Sequence, residues 1–103
     1  MTLEFPAGVP EVRRYQGLLL FDGTAGDLLV RCAVTEMALL HGQALPVASD
    51  ANLKKLFAAN WEAIKRIARV KYERGEIMRG AVVVVSTNDL KGNRTRSRRT
   101  TDI

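Results

Sequence analysis

The sequence predicts an α+β domain: a small, mostly antiparallel sheet of three or four strands, in the order β-β-α-α-β, with one short and one long helix packed on one face. Three observations carry this. From Ala51 to Arg74, apolar side chains recur at three- and four-residue steps, the period of a helix with one buried side. Before it lie two apolar runs, Leu18-Leu19-Leu20 and Leu28 to Val34, separated by a short polar stretch. After it comes Ala81-Val82-Val83-Val84-Val85, a largely β-branched run suited to a pleated surface.

Taken in order, Leu3 and Phe5 precede Pro6, and a residue before proline prefers extended geometry, so this end is expected as a short edge segment. Val12 to Phe21 reads as one strand with a bulge at Gly17. The segment from Asp22 to Asp27 reads as a turn, because Asp and Gly tolerate positive φ. Leu28 to Val34 is the second strand, antiparallel to the first. Thr35 is placed to cap a short helix from Glu36 to His41 ended by Gly42, with Met37, Leu40 and His41 sharing a face.

Ser49 or Asp50 caps the long helix, and Gly75 ends it. Its apolar stripe contains Leu53, Leu56, Phe57, Asn60, Ile64, Ile67, Ala68 and Lys71, widened by Trp61 and Tyr72. Ile77 to Ser86 is the last strand, and its apolar character on both faces predicts a strand buried on both sides or central in the sheet. Residues 1–90 are expected to form one domain. Residues 91–103, dominated by Gly, Asn, Arg, Thr and Ser, are expected as a disordered basic tail, having too little apolar surface to offset ordering entropy.

Charge follows the same division. The chain carries a formal +5, but residues 1–90 hold 11 Lys/Arg against 10 Asp/Glu. Lys91, Arg94, Arg96, Arg98 and Arg99, against Asp102 alone, supply the other +4. A high isoelectric point therefore says little about the globular surface. No apolar run is long enough to cross a bilayer. The first six residues lack a charged segment followed by an apolar one, so no secretory leader is expected. With a single cysteine, Cys32, no internal disulfide can form, which points to a cytoplasmic, reducing setting.

Phe5-Pro6, Arg31-Cys32-Ala33-Val34-Thr35 with Ala38-Leu39, and the helical set Phe57, Asn60, Ile64, Ile67, Ala68, Lys71, Tyr72 and Gly75 together resemble a family of short bacterial proteins known only as a domain of unknown function. The resemblance spans residues 1–90. It implies a compact α+β domain and supplies no activity.

Chemistry is sparse. One cysteine and one histidine, His41, fall short of the three or four ligands of a transition-metal site, and neither CxxC nor HxxxH spacing occurs. No cofactor, metal or catalytic residue is expected. Cys32 reads as a buried strand residue rather than a nucleophile paired with His41. Asn60, on an otherwise apolar face, is expected to be a structural polar residue whose side chain bonds a backbone group of a strand or loop. The cations Lys65, Arg66 and Arg69 on the helix, with Lys91, Arg94, Arg96, Arg98 and Arg99, are the candidate anion or nucleic-acid contacts. The leading expectation is a non-enzymatic domain that binds a protein partner or itself. The alternative is accessory nucleic-acid or polyanion binding.

Overall fold

In a computed structural model, which describes residues 2–44, 47–77 and 82–90, the chain is an α+β domain. Four strands form one sheet: β1 (Arg13–Tyr15), β2 (Leu18–Ala25), β3 (Leu28–Thr35) and β4 (Val82–Val85), in that spatial order. The first three are mutually antiparallel, and β4 runs parallel to β3. Three helices lie between β3 and β4: α1 (Glu36–Leu40), α2 (Asp50–Ala59) and α3 (Trp61–Glu73). A final helical turn covers residues 87–90.

The expected first strand is two strands. Gln16 and Gly17 take φ of 47° and 80°, the paired positive values of a type I′ hairpin turn, so Gly17 closes a turn instead of marking a bulge. The expected turn from Asp22 to Asp27 shrinks in the same way. Asp22 to Ala25 continue β2, and Gly26, at φ 62°, takes the first central position of a two-residue connection. Period-2 burial along β2 overrode the polar composition of this stretch. Gln16 has no glycine's freedom at positive φ, so Gln16→Asn is expected to raise stability by about 0.5–1 kcal/mol. A urea midpoint at or below the parent's would contradict the turn type.

Helix signals worked where they were local. Thr35 Oγ1 accepts from the Ala38 amide at 3.0 Å, and Ser49 Oγ from the Asn52 amide at 3.2 Å. Gly75, at φ 74°, ends α3 in a Schellman motif: its amide bonds Tyr72 O, and the Glu76 amide bonds Lys71 O at 2.8 Å. In α1, however, the buried pair is Ala38 and Leu39, while Met37 is 76% exposed.

The long helix is not continuous. Asn60, at φ −106° and ψ 8°, interrupts it and caps the C-terminus of α2. Its amide is shared between Leu56 O and Phe57 O, and its side-chain amide donates to Leu56 O at 2.8 Å. The side-chain amide therefore bonds its own preceding turn. Asparagine's short amide competes with the backbone ladder, which is why it favours helix ends over interiors. The apolar stripe nonetheless survives the joint, and Leu53, Phe57, Trp61, Ile64 and Ala68 are all buried.

Those residues pack on one face of the sheet, against Leu19, Phe21, Val30, Cys32, Val34, Val83 and Val85. Phe5, Phe21, Phe57 and Trp61 form an aromatic cluster with ring centroids 5.1–5.8 Å apart. The N-terminal segment joins it as an edge, as expected, since Glu4 and Thr24 exchange backbone hydrogen bonds of 2.7 and 2.8 Å. Arg14 ties β1 to the helices through Glu36 and Asp50, and that hydrogen bond holds the Asp50 carboxyl below its usual range.

The end of the described chain is locked by Asp89. Its Oδ2 accepts from Lys71 Nζ at 2.7 Å, from the Ser86 amide at 2.8 Å and from the Ser86 hydroxyl at 2.9 Å. Partial burial pushes this carboxyl up, but the Lys71 and Ser86 hydrogen bonds outweigh it and hold it below its ordinary value. A depressed folded value stabilises the native state above the unfolded aspartate value of about 3.9 and is lost as pH falls through the folded one. Asp89→Ala is expected to cost about 1–3 kcal/mol at neutral pH and to flatten the stability decline below about pH 4. Urea midpoints between neutral and acid pH would check both parts.

Candidate functional surface

Strand alternation gives the sheet two faces. The residues opposite the core-facing set are Leu18, Leu20, Asp22 and Thr24 on β2, Leu29, Arg31, Ala33 and Thr35 on β3, and Val82 and Val84 on β4. Arg13 and Tyr15 extend the set onto β1. The described helices pack on the other face, so none of them covers this one, although Ala33 at its middle is fully buried. Tyr15 is 57% and Leu29 68% exposed, and Leu18, Leu20, Val82 and Val84 are half-buried. Apolar side chains thus occupy the middle of the face with charges toward its rim.

The register is specific. Leu18 lies beside Thr35, Leu20 beside Ala33, Asp22 beside Arg31, and Thr24 beside Leu29. Arg31 Nε is 3.8 Å from Asp22 Oδ1, a loose pair, and that oxygen is enclosed with no hydrogen-bond partner.

The edge strands of the sheet are short. β1 has three residues. β4, expected to be buried on both sides or central in the sheet, is an edge strand, and its four residues alternate between core and open face. Its apolar run therefore serves two faces of an edge. Lys71 from α3 donates to Val84 O at 2.9 Å. A lysine at an edge competes with any incoming strand for backbone acceptors.

Among the described residues, two of the three expected anion contacts, Lys65 and Arg69, are held by partners within the chain. Lys65 Nζ is 2.7 Å from Glu62 Oε2 and 5.8 Å from the Trp61 ring centroid. The hydrogen bond from Lys65 holds the Glu62 carboxyl below its usual range. Arg69 Nε donates to Leu3 O at 3.0 Å, which anchors the N-terminal segment. Arg66 is exposed. Lys91, Arg94, Arg96, Arg98 and Arg99 lie outside the described residues, as does the whole expected tail.

Nor do the reactive groups assemble. Cys32 is fully buried, and burial first, then the nearby Asp22 charge, pushes its thiol up to about 12. A thiol so suppressed is no nucleophile at neutral pH. His41 is the exposed C-cap of α1. Among the described residues, no three His, Cys, Asp or Glu side chains are placed to share a metal ion, and no helix is long and apolar enough to cross a membrane. Two of the open grooves lie among the described residues. One, of about 360 Å³, runs between Val9–Val12 and Lys54–Phe57. The other, of about 480 Å³, lies at the Gly17, Thr35 and Ser86 end of the sheet beside Met37. Neither gathers an acid, a base and a nucleophile.

The open face was not visible as a site in the sequence. Leu18 to Leu20 reads as one apolar run, and Asp22 as part of a turn. The signal that finds it is strict alternation from Leu18 to Ala25, which becomes legible once the Gln16-Gly17 turn is recognised. No protein-family model, curated protein or solved structure matches this chain.

Proposed function

We propose that this chain is a small non-enzymatic binding domain whose open sheet face meets another protein surface or a second copy of itself. The observation that carries this reading is the half-exposed apolar row of Leu18, Leu20, Val82 and Val84, flanked by Tyr15 and Leu29. Contiguous apolar surface rimmed by charge is the usual mark of an interaction site. The burial of Cys32 and the scatter of the other reactive groups weigh against catalysis. A reducing, cytoplasmic setting fits a lone enclosed thiol.

The polyanion alternative has weaker support. Lys65 and Arg69 are committed to Glu62 and Leu3, which leaves Arg66 as the exposed one of the three expected helix contacts. It would then fall to Lys91, Arg94, Arg96, Arg98 and Arg99. Salt-dependent retention of nucleic acid, abolished by removing residues 91–103, would favour it instead.

A photo-crosslinking amino acid at position 29 tests the proposal in living cells. Discrete protein adducts are expected from that position and none from position 51 on the exposed side of α2. Absence of any adduct at position 29 would overturn the reading.

A further inference from the structure

We propose that the N-terminal arm, residues 2–6, exchanges between two copies of this chain: each arm swings out at Gly8 and seats beside β2 of the other copy. This is domain swapping of a terminal segment. It is independent of the role proposed for the sheet face, because the arm docks at the edge of β2 and against α3.

The seat is built for an extended segment. Glu4 and Thr24 exchange backbone hydrogen bonds of 2.7 and 2.8 Å, so the arm takes up the edge of β2 where the three residues of β1 leave it. Leu3 is fully buried, and its carbonyl accepts from Arg69 Nε at 3.0 Å. Phe5 lies edge-on to Trp61, with ring centroids 5.1 Å apart. Gly23 permits this approach, since a methyl group there would meet Phe5, Glu4 and Leu3 at 2.7–2.9 Å. Each of these contacts joins the arm to β2, α2 or α3 and forms equally well with the arm of another copy. The occupant is named by what already fits the seat.

The tether says how the arm leaves. Residues 6–9 are exposed. Pro6 and Pro10 hold φ near about −65°, and Phe5 and Val9, each before a proline, favour extended geometry. The tether is therefore biased to run straight, and the chain turns back at Ala7 and Gly8, with Gly8 at φ 82°. Opening relaxes that bend but uncovers Leu3 and the aromatic cluster. An open arm then recloses or finds the vacated seat of another copy. Reclosure is intramolecular and exchange is bimolecular, so the closed monomer dominates in dilute solution and exchange grows with concentration.

Sedimentation velocity of the full chain over a concentration series reads the dimer. At Gly8 an added methyl group meets nothing within 4 Å, so Gly8→Ala acts on the bend alone. Alanine resists the left-handed region, and straightening relieves two tethers per dimer, so the association constant is expected to rise roughly tenfold or more over the parent's. Gly42→Ala is the control: at φ 80°, with the same free space, it carries the same strain outside the tether and is expected to leave association unchanged. Leu3→Ser in the Gly8→Ala background removes the arm's anchor and is expected to abolish the gain.

Quenching locates the arm and carries the test if the Leu3 variant fails to fold. A Gly8→Ala chain with no tryptophan (Trp61→Phe) and a quencher attached at position 2 (Thr2→Cys) is mixed with unlabelled Gly8→Ala. Cys32 is enclosed, so the label goes to position 2. Emission from Trp61 of the unlabelled chain is expected to fall, because an exchanged arm brings Phe5 against that ring. A dimer joined through the sheet face would leave the emission unchanged. Gly8→Ala that associates no more than the parent or Gly42→Ala, or a dimer that forms without quenching, overturns the inference. Neither result touches the sheet-face reading, which stands or falls on the adducts at position 29.

Discussion

Phe21→Ala is expected to lower stability by about 3–5 kcal/mol, the cost of emptying an aromatic site in a close-packed interior. Phe21 is 2% exposed and lies where four elements meet. Its ring centroid is 5.8 Å from Phe5 in the N-terminal segment, 5.3 Å from Phe57 in α2 and 5.6 Å from Trp61 in α3. Two of these contacts are edge-on, the arrangement that adds electrostatic attraction to buried area. A small domain has only about 5–15 kcal/mol of net stability, so the variant is expected to sit near its folding threshold at 25 °C. Phe21→Leu retains part of the volume and should lose less than half as much. Urea unfolding followed by Trp61 fluorescence measures both. A Phe21→Ala loss below about 1 kcal/mol would mean that the four rings do not share one packed site.

Gly23→Ala is the second large effect, and its cause is steric rather than conformational. A methyl group at Gly23 would meet Phe5 Cε1 at 2.7 Å, Glu4 O at 2.9 Å and Leu3 Cδ1 at 2.9 Å. One of these is backbone, so the N-terminal segment must move. Alanine in a strand interior would otherwise be worth about 0.5–1 kcal/mol over glycine, and the clash reverses the sign to a net loss of about 1–3 kcal/mol. Displacing the segment breaks the Glu4–Thr24 hydrogen bonds, exposes the fully buried Leu3 and pulls Phe5 off Trp61. A red shift of Trp61 emission and early proteolysis before Pro6 should accompany the loss. In a chain lacking residues 2–6, the same substitution is expected to be neutral or slightly stabilising. Equal costs in both backgrounds would show that the segment does not cross Gly23.

How far the fold was legible follows the range of each signal. Thr35, Ser49 and Gly75 act on amides or carbonyls within one turn, and each did what its residue type implies. The stripe from Leu53 to Ala68 showed through a break in the backbone because period survives a one-residue joint. The break itself is also a local matter, since the Asn60 amide turns back on Leu56. It was misread because an apolar period outweighed one polar residue. Gln16-Gly17 was misread because glutamine is an uncommon choice at positive φ. The candidate surface was the least legible part. Leu20, Asp22 and Arg31 gain meaning from the strand they lie beside and from what covers the sheet, and neither is written within a few residues.

By itself the sequence determined the elements: an apolar rod with capped ends, β-branched and leucine-rich strands, glycines where the chain reverses, and a neutral body followed by a basic end. Only the tertiary structure decided their arrangement. It put β4 parallel to β3 at an edge, laid every described helix on one face, brought Lys71 to Val84 and Asp89, and left Leu20 and Asp22 looking outward. The physical reason is reach. Helix and turn preferences come from interactions along a few bonds, whereas strand order and coverage come from contacts between residues far apart in the chain, whose energies exist only after the chain has closed on itself.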